Sequence, residues 1–147
     1  MDFREFLRLE SPDFKDRMLS EIWDYSDEEI ETTHDFIQIV FPLNKPSNRS
    51  IHGFYIRDDS VLADIRSDEV IQRNLIKSSK WFLSFLIRNP EWKTHRNHNQ
   101  FRITRIIECL RLLVSDDEAD AFKSNTFELL EEANEVNEVT LKFWENA

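Results

Sequence analysis

Gly53 is the only glycine among the 147 residues of this chain. Glycine enters the left-handed backbone region without steric cost, and tight hairpins and many helix C-caps rely on it. A chain that nearly dispenses with it has little means of reversing between antiparallel strands and is expected to build helices joined by short polar links. Twelve Phe, four Trp and two Tyr supply the material of a core. At this length a single domain, residues 1–147, buries roughly two-thirds of the surface that its unfolded chain exposes. The expected class is therefore all-α, a compact orthogonal bundle of about six or seven helices.

Charge narrows the function classes. The net charge is −10, which argues against general binding to a phosphate backbone, because that requires a dense cationic face. The imbalance is uneven: residues 115–147 carry ten acids against two lysines, whereas residues 91–111 carry five Lys/Arg against two acids. The acidic C-terminal run reads as a solvated face, and the basic segment suits a small anion or an acidic peptide. Cys109 is the only cysteine, so an intramolecular disulfide is excluded and a reducing compartment fits. MDFREFLRLE lacks the apolar run of a secretory signal, and WFLSFLI is too short to span a bilayer. A cytoplasmic location is expected.

Periodicity divides the chain into helical runs. Phe3, Phe6, Leu7 and Leu9 fit a short amphipathic helix. Ser11-Pro12 offers an N-cap and a first-turn proline for DFKDRMLSEIW, which gathers Phe14, Met18, Leu19, Ile22 and Trp23 on one side. SDEEIETTHDFIQIVFP, residues 26–42, opens with an S-x-x-E capping box, Ser26 with Glu29. A helix through it collects Thr33, Phe36, Ile37, Val40 and Phe41 in one arc. It sets His34 and Gln38 on the rim one turn apart, points Asp35 at solvent and stops at Pro42. Residues 44–57 read as a long loop. A short helix near residues 60–65 and a long one capped by Ser67 and ended at Asn89-Pro90 follow. After the polar EWKTHRNHNQ, a helix carries Ile103, Ile106, Ile107, Leu110, Leu113 and Val114 as one face. Asn99 lies at the N-terminal end of that face, and His98, Arg102 and Arg105 line one border. A second box, Ser115 with Glu118, opens a helix bearing Ala119, Phe122, Leu129, Leu130 and Ala133. A last helix carries Val139, Phe143 and Trp144.

Two of these segments, HDFIQIVFPLNKPS and NHNQFRITRIIECLRLL, resemble the signature stretches of the opioid growth factor receptor conserved region. PDFKDRMLSEIWDYSDEEIE is similar to the lead-in to the first, SDEVIQRNLIKSSKWFLSFL to the middle helix and TLKFWENA to the terminal aromatic helix. The likeness spans about residues 12–147. Phe36 stands where tyrosine is common, Ile39-Val40 where tryptophan-leucine is common, and Val114 where a glycine often ends the helix. The resemblance implies an all-helical domain, found in the animal receptor and in many short bacterial proteins. In animals it implies an enkephalin-type peptide receptor associated with the nucleus and growth control, a role that also involves regions outside this domain. The fold is expected to carry over and the opioid activity is not.

The candidate ligand-binding residues form two polar sets, His34 with Gln38, and His98, Asn99, Arg102 and Arg105. In the first, the imidazole donates or accepts at a ligand group and the amide fixes its orientation. In the second, two arginines three apart and the free N–H groups of a helix start suit a carboxylate or phosphate. Each set also has a structural reading, because buried polar groups are normally paired within the protein. His95 and His98 are three apart but lack a third ligand, so no metal is expected; one glycine rules out the G-x-S-x-G, P-loop and Rossmann fingerprints, and no cofactor is expected. Cys109 lies near an apolar face and reads as a core residue. The expected function is a non-enzymatic ligand- or protein-binding, regulatory domain whose partner is a small anion, an acidic peptide or a protein. The alternatives are a small helical enzyme acting on an anionic substrate, with His34 as general base, and a structural or oligomerisation module with an acidic face.

Overall fold

The computed structural model describes residues 1–47, 51, 53–130 and 135–147. Among them the protein is all-helical, with nine α-helices, one 3-10 turn and no strand. The residues fall into two compact units, Met1–Ser78 and Ser79–Ala147, with the boundary inside a long helix.

In the first unit, α1 (Phe3–Leu7) starts at Asp2, whose side chain accepts the Arg4 N–H at 2.8 Å. It ends in a Schellman motif: Leu9 N–H donates to Phe6 O at 3.1 Å and Glu10 N–H to Glu5 O at 2.8 Å. The left-handed residue this motif needs is Leu9, with φ 64°. The glycine-poor chain therefore makes the glycine turn with a leucine, satisfying two orphan carbonyls against a cost of roughly 1–2 kcal/mol. Arg4 reaches Asp64 at 2.6 Å on α5 (Asp59–Ser67), Arg8 pairs with Asp68, and Asn74 of α6 (Glu69–Arg88) donates to Leu7 O at 2.7 Å. Asp68 caps α6, accepting the N–H groups of Val70 and Ile71. Ser67, the expected cap, is instead the last residue of α5.

Two expected helices are broken in this unit, which helps to raise the count from six or seven to nine. The run beginning at Pro12 is helical only over α2 (Leu19–Trp23). Before it, the Asp13 carboxylate accepts the N–H groups of Lys15 at 2.9 Å and Arg17 at 3.0 Å, and Asp16 adopts φ 57°. A short carboxylate that binds its own backbone competes with helix. The run at residues 26–42 starts as expected: Ser26 Oγ accepts Glu29 N–H at 3.1 Å and Glu29 accepts Ser26 N–H at 3.0 Å. It then divides into α3 (Asp27–Thr32) and α4 (Ile37–Val40). Residues 36–43 are all buried, and one continuous amphipathic helix would have left its outer face in water. Asp35 does not point to solvent: its carboxylate pairs with Lys15 and with Arg17 Nη1 at 2.8 Å. No helix occupies the described part of residues 44–57; residues 48–50 and 52 of that loop lie outside the described residues.

In the second unit, α6 runs on to the 3-10 turn Pro90–Trp92 and then to α7 (His98–Leu113), α8 (Asp116–Glu128) and α9 (Glu138–Asn146). Ser115 caps α8 by accepting Glu118 N–H at 3.1 Å. Arg111 on α7 fastens both later helices, meeting Asp116 at 2.8 Å, Asp120 at 2.6 Å and Ala147 O at 2.9 Å. Trp92 and Trp144 are fully buried with ring centroids 6.3 Å apart. Val139 and Phe143, expected with Trp144, are instead exposed at 64% and 57%. Ala133 lies outside the described residues. Among the described residues no helix is long and apolar enough to cross a membrane.

Burial alone pushes the Asp35 carboxyl up, but its hydrogen bonds to Lys15 and Arg17 outweigh that and hold it below the ordinary 3.8. A carboxyl lowered by folding stabilises above its unfolded value, and that stabilisation is lost as pH falls through the folded one. Asp35→Asn is expected to cost roughly 1 kcal/mol at neutral pH. It should also flatten the acid-induced loss of stability below pH 3.8. Urea unfolding followed by circular dichroism across that range checks both, and equal slopes for the two proteins would exclude the ion pair as the cause.

Candidate functional site

The helix expected to carry the first candidate set is broken between its two residues. His34 falls in the break between α3 and α4 and is exposed, whereas Gln38 lies on α4 at 3% exposure. With the helix interrupted, their relation is not that of an i,i+4 pair on one continuous helix. Both belong to the first unit.

The second set belongs to the second unit and does come together. Asn97 caps α7 by accepting Asn99 N–H at 2.8 Å, which fixes the first turn. Asn99 and Arg102 are 2% and 5% exposed, and Arg102 Nη1 donates to Asn99 Oδ1 at 3.1 Å. The two residues are one helical turn apart, and this contact is a buried hydrogen bond that the sequence reading did not anticipate. His98 and Arg105 are half-buried at the edge of the same stretch. Burial pulls the Arg105 guanidinium below its ordinary value, only partly opposed by Cys109 and Glu108.

No family model, no curated protein and no solved structure matches this chain. The reading of the site therefore stands on its geometry.

Cys109 is fully buried, and burial pushes its thiol up to about 12 despite the opposing Arg105. Such a thiol is a core group, because the thiolate is the nucleophilic form. No group of three or more His, Cys, Asp or Glu among the described residues is placed to hold a metal ion. In the first unit a cleft of about 400 Å³ is lined by residues 1–4, 53–58 and 61. None of the nominated residues lines it. Its Arg4 is taken up by Asp2 and Asp64, and its Arg57 stacks 4.4 Å from the centroid of the Tyr55 ring.

Gln100, beside Asn99 at 2% exposure, was missed by the sequence reading and is the polar hub of this unit. Its Nε2 donates to Trp92 O at 3.0 Å and to Thr94 O at 2.8 Å. Its main-chain carbonyl accepts Trp144 Nε1 at 3.1 Å. The only available signal was a glutamine adjoining an apolar helical face in a segment that otherwise reads as polar loop.

Two outcomes follow. Gln100→Leu leaves the buried Trp92 carbonyl and the part-buried Thr94 carbonyl without their donor and is expected to cost roughly 1–3 kcal/mol in urea unfolding; a neutral result would remove the hub role. Cys109 in the native protein should resist a thiol-reactive dye at mildly alkaline pH and react only on unfolding. Rapid native labelling would contradict its placement.

Proposed function

We propose that this chain is a non-enzymatic binding domain whose ligand site is the N-terminal part of α7, and that it is a divergent member of the opioid growth factor receptor conserved-region family. The observation that carries the binding reading is that Arg102 is 5% exposed and held on Asn99 Oδ1 at 3.1 Å, with Arg105 half-buried three residues along the same helix. Guanidinium charge withdrawn from water interacts with an anion far more strongly than the same charge on the surface, and its fork matches carboxylate and phosphate geometry. Asn99 orients Arg102, and the N-terminal end of this 16-residue helix adds partial positive charge from its dipole.

The ligand class is a small anion, or a carboxylate presented by a peptide or protein. Support for the family reading comes from the motif residues: NHNQFRITRI supplies His98, Asn99, Arg102 and Arg105. Gln38 acts in this reading as a buried structural residue of the first motif rather than as a ligand contact.

Inorganic phosphate is the probe that tests it. At constant ionic strength, phosphate at a hundred times its Kd stabilises a specific binder by about 2.7 kcal/mol. The wild type should melt several degrees higher, whereas a folded Arg105→Gln variant should not respond. The same rise in both proteins, or no rise in either, would discard the site.

A further inference from the structure

Gly53, the only glycine of the chain, lines the cleft of the first unit. Two needs usually explain a glycine, a left-handed backbone and a Cβ position with no room. Neither applies here. Its φ is not positive, and among the described residues a Cβ built on it would meet no atom within 4 Å. What remains is the cleft itself: a side chain would take up its space, whereas a bare backbone lets a flat group lie against the peptide.

The wall that continues from Gly53 is fixed in place. Ile56 N–H donates to Leu43 O at 2.8 Å, and the Phe54 and Phe14 rings meet with centroids 4.5 Å apart. Arg57 Nη2 returns to Gly53 O at 3.1 Å, and its guanidinium stands 4.4 Å from the centroid of the Tyr55 ring. A carbonyl and a ring face position this cation without neutralising it. Arg4, Arg8, Arg17 and Arg111 each hold two carboxylates, whereas Arg57 meets none among the described residues. Apolar surface is supplied by Phe3, Ile56 and Val61.

We propose that this cleft binds a small aromatic monocarboxylate, its carboxylate on the Arg57 guanidinium and its ring along the Gly53 backbone. The volume of about 400 Å³ lies near the lower end of the roughly 300–1,000 Å³ typical of small-ligand pockets, which suits a single ring system. The guanidinium fork matches a carboxylate. A phosphate ester or a polyanion fits less well. Arg4, the other arginine of the lining, is already held by Asp2 and Asp64, and Asp58 adds an opposing charge. One cation without a carboxylate selects one negative charge. The site lies wholly in the first unit and does not depend on the one proposed for α7.

The test uses the intact chain and fluorine NMR of para-fluorophenylacetate, whose line should broaden saturably. para-Fluorophenylacetamide keeps the ring and loses the charge. It should bind at least about tenfold more weakly, and Arg57→Gln should weaken the acid as much, because each removes a charge-assisted hydrogen bond. Gly53→Leu should block the ring without lowering the melting temperature. Phenylacetate should displace the probe better than cyclohexylacetate, whose puckered ring cannot lie flat. Arg73→Gln, at an exposed cation of α6, should leave affinity unchanged. No saturable broadening, equal affinity for the amide, full binding by Gly53→Leu, equal displacement by the two acids, or equal loss in Arg73→Gln would each overturn the proposal.

Discussion

The carboxylate of Asp13 has no exposed side-chain surface, and it takes the guanidinium of Arg17 at 2.7 Å together with two backbone N–H groups of its own loop. Arg17 is itself only 15% exposed and reaches onward to Asp35. Removing one partner of such a pair strands the other charge away from water, at a cost of roughly 3–5 kcal/mol. The geometry of the first unit follows from this one guanidinium. It closes the loop at residues 13–17, and it binds the chain where α3 gives way to α4. One interaction therefore interrupts two helices that local periodicity would have continued. It also decides that His34, next to Asp35, leaves the helix face on which Gln38 sits.

The second unit uses a neutral amide in the corresponding place. Gln100 satisfies two carbonyls of the segment that precedes α7, and its own carbonyl anchors the buried indole of α9. A buried amide whose N–H groups are taken by two carbonyls in this way specifies its partners more narrowly than an apolar residue of the same size, because any other packing leaves donors or carbonyls unpaired. The same turn of α7 then carries Asn99 and Arg102, so the polar residues nominated as a site are continuous with those that hold the unit together.

This continuity explains what could be read from sequence. Features set by neighbours in the chain were legible: the Ser26–Glu29 box, the cap at Ser115, and the helices near residues 60–65 and from 98. Features set by distant partners were not. The breaks at residues 13–17 and 33–36 depend on Arg17 meeting Asp35, eighteen positions away. Asp68 displaced Ser67 as a cap while also pairing with Arg8, sixty positions away. Glycine scarcity correctly indicated helices but misplaced the turns. Leu9 and Asp16 take the left-handed conformations, and Gly53 does not have a positive φ.

On α7 the guanidinium of Arg102 is withdrawn from water and that of Arg105 is half-buried. A charge so placed acts at short range and at a lower dielectric than one in solvent, so the ligand proposed for this helix would have to be compact. An extended acidic surface would instead need several solvent-facing cations arriving at the helical period together, because each exposed pair is screened by salt and weak by itself.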